Sequence, residues 1–503
     1  MNIKIKMQND VWMGNGIENL YRLLHNIEGC SVEIDNNSLN IEISDKEKFL
    51  RNFTQKIKNQ QDKTIFVTKR DEKGQVGYVK KDFVLVQYGK AINGRNVLKE
   101  KIYSETEKRL NEIFSNIEEG NKICVICGRK FKKSVDKLKQ AVYPFVTKIK
   151  SLSGIRILKE NYDNVCPLCY LVGTLEWLDE SIIYRCFLGS RERTYSVIFL
   201  PFEFDLKKLH ESKKYYIEIL APNRDSQISN LLKIKKTERG EVKIGYEGEF
   251  TTALRFFEKF VDKLLEKYKE KKIGFFDELF GEIKRTVCKS WIIVKIPSGQ
   301  VKNVKYQQLE LNDEILNVII YLENQGIFIY DNILDKINIF SKDGKFLQNE
   351  TNNVREKLAK SIIKNNFREF PRSFLPRKYK ITIKRDSFKD LNELIKLWRL
   401  DKMGLKEHLE DIKSAGNCLA KLLEGHLGIL YAMDKARTKE EFVRALEQAS
   451  KRLVGLKEEE IRGEMKPSSL VKITEIVYNI NNWQELRDIL LIYTSVFYSI
   501  KNK

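Results

Sequence analysis

The chain has 503 residues, 42% of them hydrophobic and 11% aromatic, enough to bury a sizeable core over about two to four domains of roughly 150 residues each. Its 91 Lys and Arg against 70 Asp and Glu leave a formal charge of +21, which points to polyanionic partners, since cations that neutralise phosphates gain affinity by releasing counterions. The longest uncharged apolar stretch, Ile489 to Ile500, is shorter than the roughly 18 residues of a membrane span, and Met1-Asn2-Ile3-Lys4 opens no apolar signal sequence, so a globular, cytoplasmic protein without a membrane partner is expected.

In chain order, a strand is expected from Ile3 to Met7, then a turn at Gly14-Asn15-Gly16. A helix follows, with Ile17, Leu20, Leu23, Leu24 and Ile27 on one face and Gly29 at its end. Strands are read at Ser31 to Ile34 and Leu39 to Ile43, a helix from Lys46, and a strand covered on both faces at Phe83 to Tyr88. Leu171 to Phe187 reads as a buried helix, while Ser196 to Phe202, Lys214 to Leu220 and Trp291 to Ile296 read as strands. Thr251 to Lys269 carries the apolar spacing of an amphipathic helix. Pro371 to Pro376 should not propagate a helix, and beyond Arg385 strand patterns are almost absent. The expected class is α+β, a mixed body with a four-cysteine zinc-knuckle insertion and a C-terminal helical bundle. Its parts are an N-terminal α+β region (1–120), the insertion (121–170), the remainder of the body (171–385) and the bundle (386–503).

The most specific local signal is a pair of Cys-x-x-Cys turns, Cys124-Val-Ile-Cys127 and Cys166-Pro-Leu-Cys169. Each turn aims two thiolates at one point, and two turns complete the tetrahedral sulfur shell that Zn²⁺ prefers; two disulfides or unrelated core thiols are the plainer readings. With four thiolates there is no open coordination position, so the metal is read as structural. The 38 residues between Cys127 and Cys166 are about twice the spacing of a compact zinc ribbon, which suggests a metal stapling a long excursion to a larger body.

Directly after the first turn come Arg129, Lys130, Lys132, Lys133, Lys137 and Lys139 with Phe131 among them, a pattern that suits phosphate contact plus stacking, or a solvated helix face. A second basic group, Arg372, Arg377, Lys378 and Lys380, lies beside the two prolines, and Lys233, Lys235, Lys236 and Arg239 read as a loop. Phosphate-loop, H-E-x-x-H and complete dinucleotide-binding motifs are absent, and the four histidines His25, His210, His408 and His426 offer few general bases.

With its paired Cys-x-x-Cys turns in a basic α+β chain and its opening Trp12-Met13-Gly14-Asn15-Gly16-Ile17-Glu18-Asn19-Leu20, the sequence resembles the large subunit of type I-A/I-B CRISPR surveillance (Cascade) complexes, in the group named for its CXXC-CXXC motif. The resemblance implies a non-catalytic subunit that binds the 5′ handle of the CRISPR RNA and target double-stranded DNA and recognises the protospacer-adjacent motif. Its implied partners are the Cascade backbone and small subunits and a separate helicase-nuclease. Two other classes stay open: a metal-dependent nuclease or degenerate type III-like large subunit, and a stand-alone zinc-ribbon nucleic-acid-binding protein.

Overall fold

Alternating apolar and polar residues make β1 (Asn2–Lys6), with Ile3 and Ile5 buried and Lys4 and Lys6 exposed. The computed structural model describes residues 1–7, 10–64, 66–71, 74–79, 97–136, 143, 164–188, 194–220, 231, 233–237, 240–270, 276–297, 305–375, 379–422, 427–454 and 468–501. These fall into two compact units, Met1–Tyr246 with Arg285–Glu310, and Glu247–Lys284 with Leu311–Lys503. Every strand pairing among the described residues is antiparallel, and helices dominate, so the fold is mixed α+β.

In the first unit, Asp10 caps α1 (Val11–Leu24) by accepting from the Met13 amide at 2.8 Å. The helix therefore runs through Gly14-Asn15-Gly16, where the sequence suggested a turn. The glycine at 16 answers to packing: a Cβ there would lie 2.7 Å from the backbone oxygen of Val172. Every residue from Trp12 to Leu20 is buried. The chain continues through β2 (Cys30–Ile34), β3 (Ser38–Ile43), α2 (Lys46–Thr64), β4 (Phe66–Asp71), β5 (Gly74–Val79), β6 (Val97–Leu98) and α3 (Lys99–Ser115). The first sheet has the order β1-β3-β2; the expected strand at Phe83 to Tyr88 lies outside the described residues.

A small hairpin, β7 (Lys122–Ile123) with β8 (Lys130–Phe131), precedes α4 (Pro167–Glu176). The expected long helix from Leu171 is cut at this point. Asp179 accepts from the Ser181 amide and hydroxyl at 2.8 and 2.7 Å, turning the chain into β9 (Ile183–Leu188). Strand β10 (Thr194–Pro201) follows, and then α5 (Leu206–Ile219), capped by Asp205. The strand expected at Lys214 to Leu220 is thus helix. Leu206, Leu209, Lys213 and Tyr216 recur at helical spacing and are all buried, and this face outweighs the strand propensity of Tyr215-Tyr216-Ile217. Lys233, Lys235 and Lys236, expected in a loop, lie in β11 (Lys233–Thr237), which pairs with β12 (Gly240–Ile244); Arg239 lies outside the described residues.

The chain then passes into the second unit through α6 (Glu249–Glu270) and α7 (Phe276–Thr286) and returns as β13 (Ser290–Pro297) and β14 (Lys305–Glu310), which complete a sheet of order β14-β13-β10-β9. The second unit continues with α8 (Asp313–Asn324), β15 (Ile337–Phe340), α9 (Gln348–Ile363), α10 (Glu369–Phe374) and β16 (Lys380–Ile383). Leu254, Phe257, Phe260, Val261, Leu264 and Leu265 of α6 are all buried, as their spacing requires, and α6 packs on α8 and α9. Pro371 sits inside α10, at its third residue, where its missing N–H would lack an intrahelical partner anyway.

Beyond β16 the described elements are helical: α11 (Ser387–Ile395), α12 (Asp401–Met403), α13 (Leu409–Leu422), α14 (Leu427–Lys435), α15 (Lys439–Val454), α16 (Ser468–Asn479) and α17 (Trp483–Lys501). Residues 386–503 share their unit with 247–284 and 311–385, because α17 packs on both β16 and α10.

Candidate metal centre and the cations beside it

Cys124 and Cys127 sit in the turn of the β7–β8 hairpin. The Gly128 amide donates to the Cys124 carbonyl at 2.9 Å, and Gly128 takes a positive φ of 70° that closes the turn. Cys166 and Cys169 open α4: Cys166 is its N-cap and Pro167 occupies the first turn. Thiolates here meet the free amides of a helix N-terminus, an environment that favours negative charge. The Cys166 amide points at Cys124 Sγ at 3.3 Å and the Cys169 amide at Cys166 Sγ at 3.4 Å.

All four sulfurs lie within 4.8 Å of one another, and Cys127 Sγ is 3.7 Å from Cys166 Sγ. Four ligands at about 2.3 Å on a tetrahedron stand about 3.8 Å apart, so the spacing fits a single tetrahedral ion. None of the four is in a disulfide. Hydrogen bonds from Cys127, Cys166 and Cys169 hold Cys124 below the ordinary thiol range; Cys124 pushes Cys127 up, but Cys166 and Cys169 draw it down to about 7. Cys166 and Cys169 are themselves pushed up, chiefly by Cys124 and then Cys127. A sulfur shell of this kind suits Zn²⁺ or iron, and binding would release the remaining protons.

The excursion expected between Cys127 and Cys166 lies largely outside the described residues, and the knuckle itself is seated on the body of the unit. Helix α4, headed by Cys166 and Cys169, lies against α1, with Trp12 Nε1 donating to the Gly173 carbonyl at 2.9 Å and Asn19 Nδ2 to the Leu175 carbonyl at 2.8 Å. The opening segment Trp12 to Leu20 is thus the surface on which the metal-bearing helix rests.

Among the expected nucleic-acid contacts, Lys130, Lys132 and Lys133 are exposed, and Lys132 pairs with Glu118 at 3.2 Å. Phe131, expected to offer a stacking face, is 1% exposed and serves the core. Arg129 donates to the Lys4 carbonyl of β1. That contact brings in cations the sequence did not single out: Lys4, Lys6 and Arg129 rim a cleft of about 340 Å³ floored by Met13, Ile17, Leu168 and Val172, with Cys127 and Cys169 in its wall. Arg372 lies on α10 and bonds Glu369 at 3.0 Å and Asp434 at 3.4 Å. Lys137, Lys139, Arg377 and Lys378 lie outside the described residues.

The first unit also holds a buried ionic cluster that sequence reading missed. Lys213 Nζ is 2.7 Å from Asp179 Oδ2 and 3.3 Å from Glu18 Oε2, Arg22 Nε is 2.8 Å from Glu18 Oε1, and Arg22 also bonds Asp179. His210 Nδ1 lies 2.9 Å from Glu18 Oε1. Burial alone would raise Glu18 and Asp179, but the Arg22 and Lys213 charges overcome it and hold both carboxyls below the usual range. Burial pushes Glu176 well above the usual carboxyl range. Glu18 and Asp179 are thus each matched by cations. Of the remaining histidines, His25 is exposed, His408 is half-exposed and His426 lies outside the described residues.

No family model matches the chain, and no curated protein matches it. No helix among the described residues is long and apolar enough to cross a membrane.

Proposed function

We propose that the chain is a non-catalytic, zinc-braced nucleic-acid-binding protein, the large subunit of a cytoplasmic RNA-guided surveillance complex of the type I CRISPR kind. The observation that carries the reading is the four-sulfur knuckle seated against α1, beside a cleft rimmed by Lys4, Lys6 and Arg129, with Lys130 and Lys133 exposed shortly after Arg129 in the chain. Such a rim suits phosphate contact, which fixes position on a nucleic acid without reading sequence. In this reading the partners are CRISPR RNA at its 5′ handle, target double-stranded DNA, the backbone and small subunits, and a helicase-nuclease that cuts. The chain recognises a short duplex motif and guide pairing reads the rest.

A non-catalytic role is supported by the neutralised Glu18 and Asp179 and by His210, which is held by Glu18. The test is co-expression with a CRISPR RNA and its repeat-backbone proteins. Stoichiometric incorporation and motif-dependent binding of target duplex are expected; a chain that stays outside the complex sinks the assignment. Cleavage of DNA or RNA by the purified chain with Mg²⁺ or Mn²⁺ would instead establish the nuclease reading. Specific duplex binding without RNA or other subunits would establish the stand-alone one.

A further inference from the structure

In the second unit, α9 carries Lys357 and Lys360 on one exposed face, and Lys364 continues that face just past its end. At about 1.5 Å per residue the three charges span roughly 10 Å. None of them makes an ion pair among the described residues, although the chain is rich in acidic partners. Lys360 and Lys364 share one aromatic surface: their ammonium groups stand 5.6 and 5.7 Å from the ring centroid of Phe250, itself 5% exposed. Two like charges drawn to one ring repel each other and favour an anion beside them.

The three lysines line one wall of a cleft of about 740 Å³ whose other wall is built by α10 and β16. Lys364 and Asn366 also line an adjoining cleft of about 690 Å³, so the trough continues past the end of α9. The arginines along this path are already matched: Arg372 by Glu369 and Asp434, Arg368 by Asp434 and Asp488, Arg487 by Asp488, and Arg399 by Glu314 and Glu485. Glu369 and Asp434, which also line the cleft, are taken up by these arginines, so against Glu350 the three lysines leave the cleft a positive surplus. Lysine ammonium groups hold phosphate as mobile point charges, and three along one helix face suit successive phosphates of a backbone. A volume within the roughly 300–1,000 Å³ of a small-ligand pocket admits a short run of single strand rather than a duplex.

We propose that this trough is a second nucleic-acid site, in which Lys357, Lys360 and Lys364 hold the phosphodiester backbone of a single strand. It rests on the reading of the chain as a nucleic-acid binder and adds a place on the other unit where a strand is held. Because phosphate contacts carry no base information, binding here is sequence-independent.

The experiment uses the purified full-length chain and a fluorescein-labelled oligo(dT), followed by anisotropy over a series of salt concentrations. Lys357→Gln, Lys360→Gln and Lys364→Gln together should weaken binding tenfold or more at low salt. They should also reduce the slope of log K against log salt by about 2, at roughly 0.7 per released single-strand contact. The triple arginine variant should keep wild-type binding, which separates charge from folding. Wild-type affinity and slope in the glutamine variant, with binding lost instead on Lys130→Gln and Lys133→Gln, overturns the trough and leaves the functional reading standing. If the wild type binds no single strand, duplex or RNA, both fall. Lysine-dependent displacement of the oligonucleotide by an equal charge concentration of polyglutamate overturns the phosphate assignment in favour of an acidic protein partner.

Discussion

Lys213 Nζ in α5 lies 2.7 Å from Asp179 Oδ2 in the turn after α4, and neither side chain reaches solvent. The same ammonium is 3.3 Å from Glu18 Oε2 of α1, so one cation ties three elements of the first unit. Removing one partner of such a cluster leaves a buried charge unmatched. Lys213→Met and Asp179→Asn should therefore each destabilise the fold by about 3–5 kcal/mol. Replacing Lys213, Asp179, Glu18 and Arg22 together with apolar residues of similar size should cost less than either single change. Urea midpoints measure this, and single variants with wild-type midpoints would defeat the claim.

The close approach of α1 to α4 gives a second expectation. Gly16→Ala places a methyl 2.7 Å from the Val172 carbonyl oxygen, a backbone atom that moves only with its helix. Overpacking of this kind costs about 1–3 kcal/mol. Gly128→Ala tests a different device: nothing lies within 4 Å of its Cβ position, so any cost there comes from its φ of 70° alone. Thermal melts of the two variants separate the mechanisms, and a Gly16→Ala protein as stable as wild type would mean that the helices part easily.

Metal analysis should find about one Zn²⁺ per chain, since one tetrahedral shell is present. Because Cys166 and Cys169 head α4, and α4 rests on α1, Cys169→Ser or chelation should loosen the first helix as well as the hairpin. Hydrogen exchange of peptides covering α1 reads this directly. Unchanged α1 protection in metal-free protein would return the metal to a peripheral role.

What the sequence made legible were features that local pattern fixes. The alternation in β1 and β3, the apolar stripe of α6 and the two cysteine turns each specify their geometry within a few residues. The misread segments were decided from far along the chain. Gly14-Asn15-Gly16 resembles a turn until Val172 lies against Gly16, and Tyr215-Tyr216-Ile217 resembles a strand until Lys213 is buried opposite Asp179. Nothing local marked Glu18, Asp179 and Lys213 as a buried cluster, because no local spacing distinguishes a buried charge from an exposed one. Lys4 joined the metal-side cleft only through the backbone bond from Arg129.

The second unit should respond to pH in the direction opposite to ordinary acid denaturation. Glu356 reaches from α9 to the start of α6, where Oε1 accepts the Phe250 amide at 2.7 Å and Oε2 accepts the Thr251 amide at 2.9 Å and hydroxyl at 3.0 Å. Burial nevertheless raises its pKa to about 7, and burial raises Glu258 in α6 to about 7 against the opposing charge of Arg255. Unfolded, a glutamate titrates at about 4.3, so between about pH 4.3 and 7 the native unit binds more protons than the unfolded chain. Its stability is then greatest below that window, declines as pH rises through it and levels off above, by on the order of 3 kcal/mol for each carboxyl. Glu18 and Asp179, held low, act the other way: their contribution to the first unit is full above about pH 4 and is lost only in stronger acid. Hydrogen exchange at pH 5 and pH 8, corrected for intrinsic rates, should show α6 and α9 less protected at pH 8 while α1 and α5 hold steady. Glu258→Gln should shrink the difference in α6, because the amide does not ionise. Equal protection of α6 at both pH values in the wild type would show that these buried carboxyls do not titrate in this window.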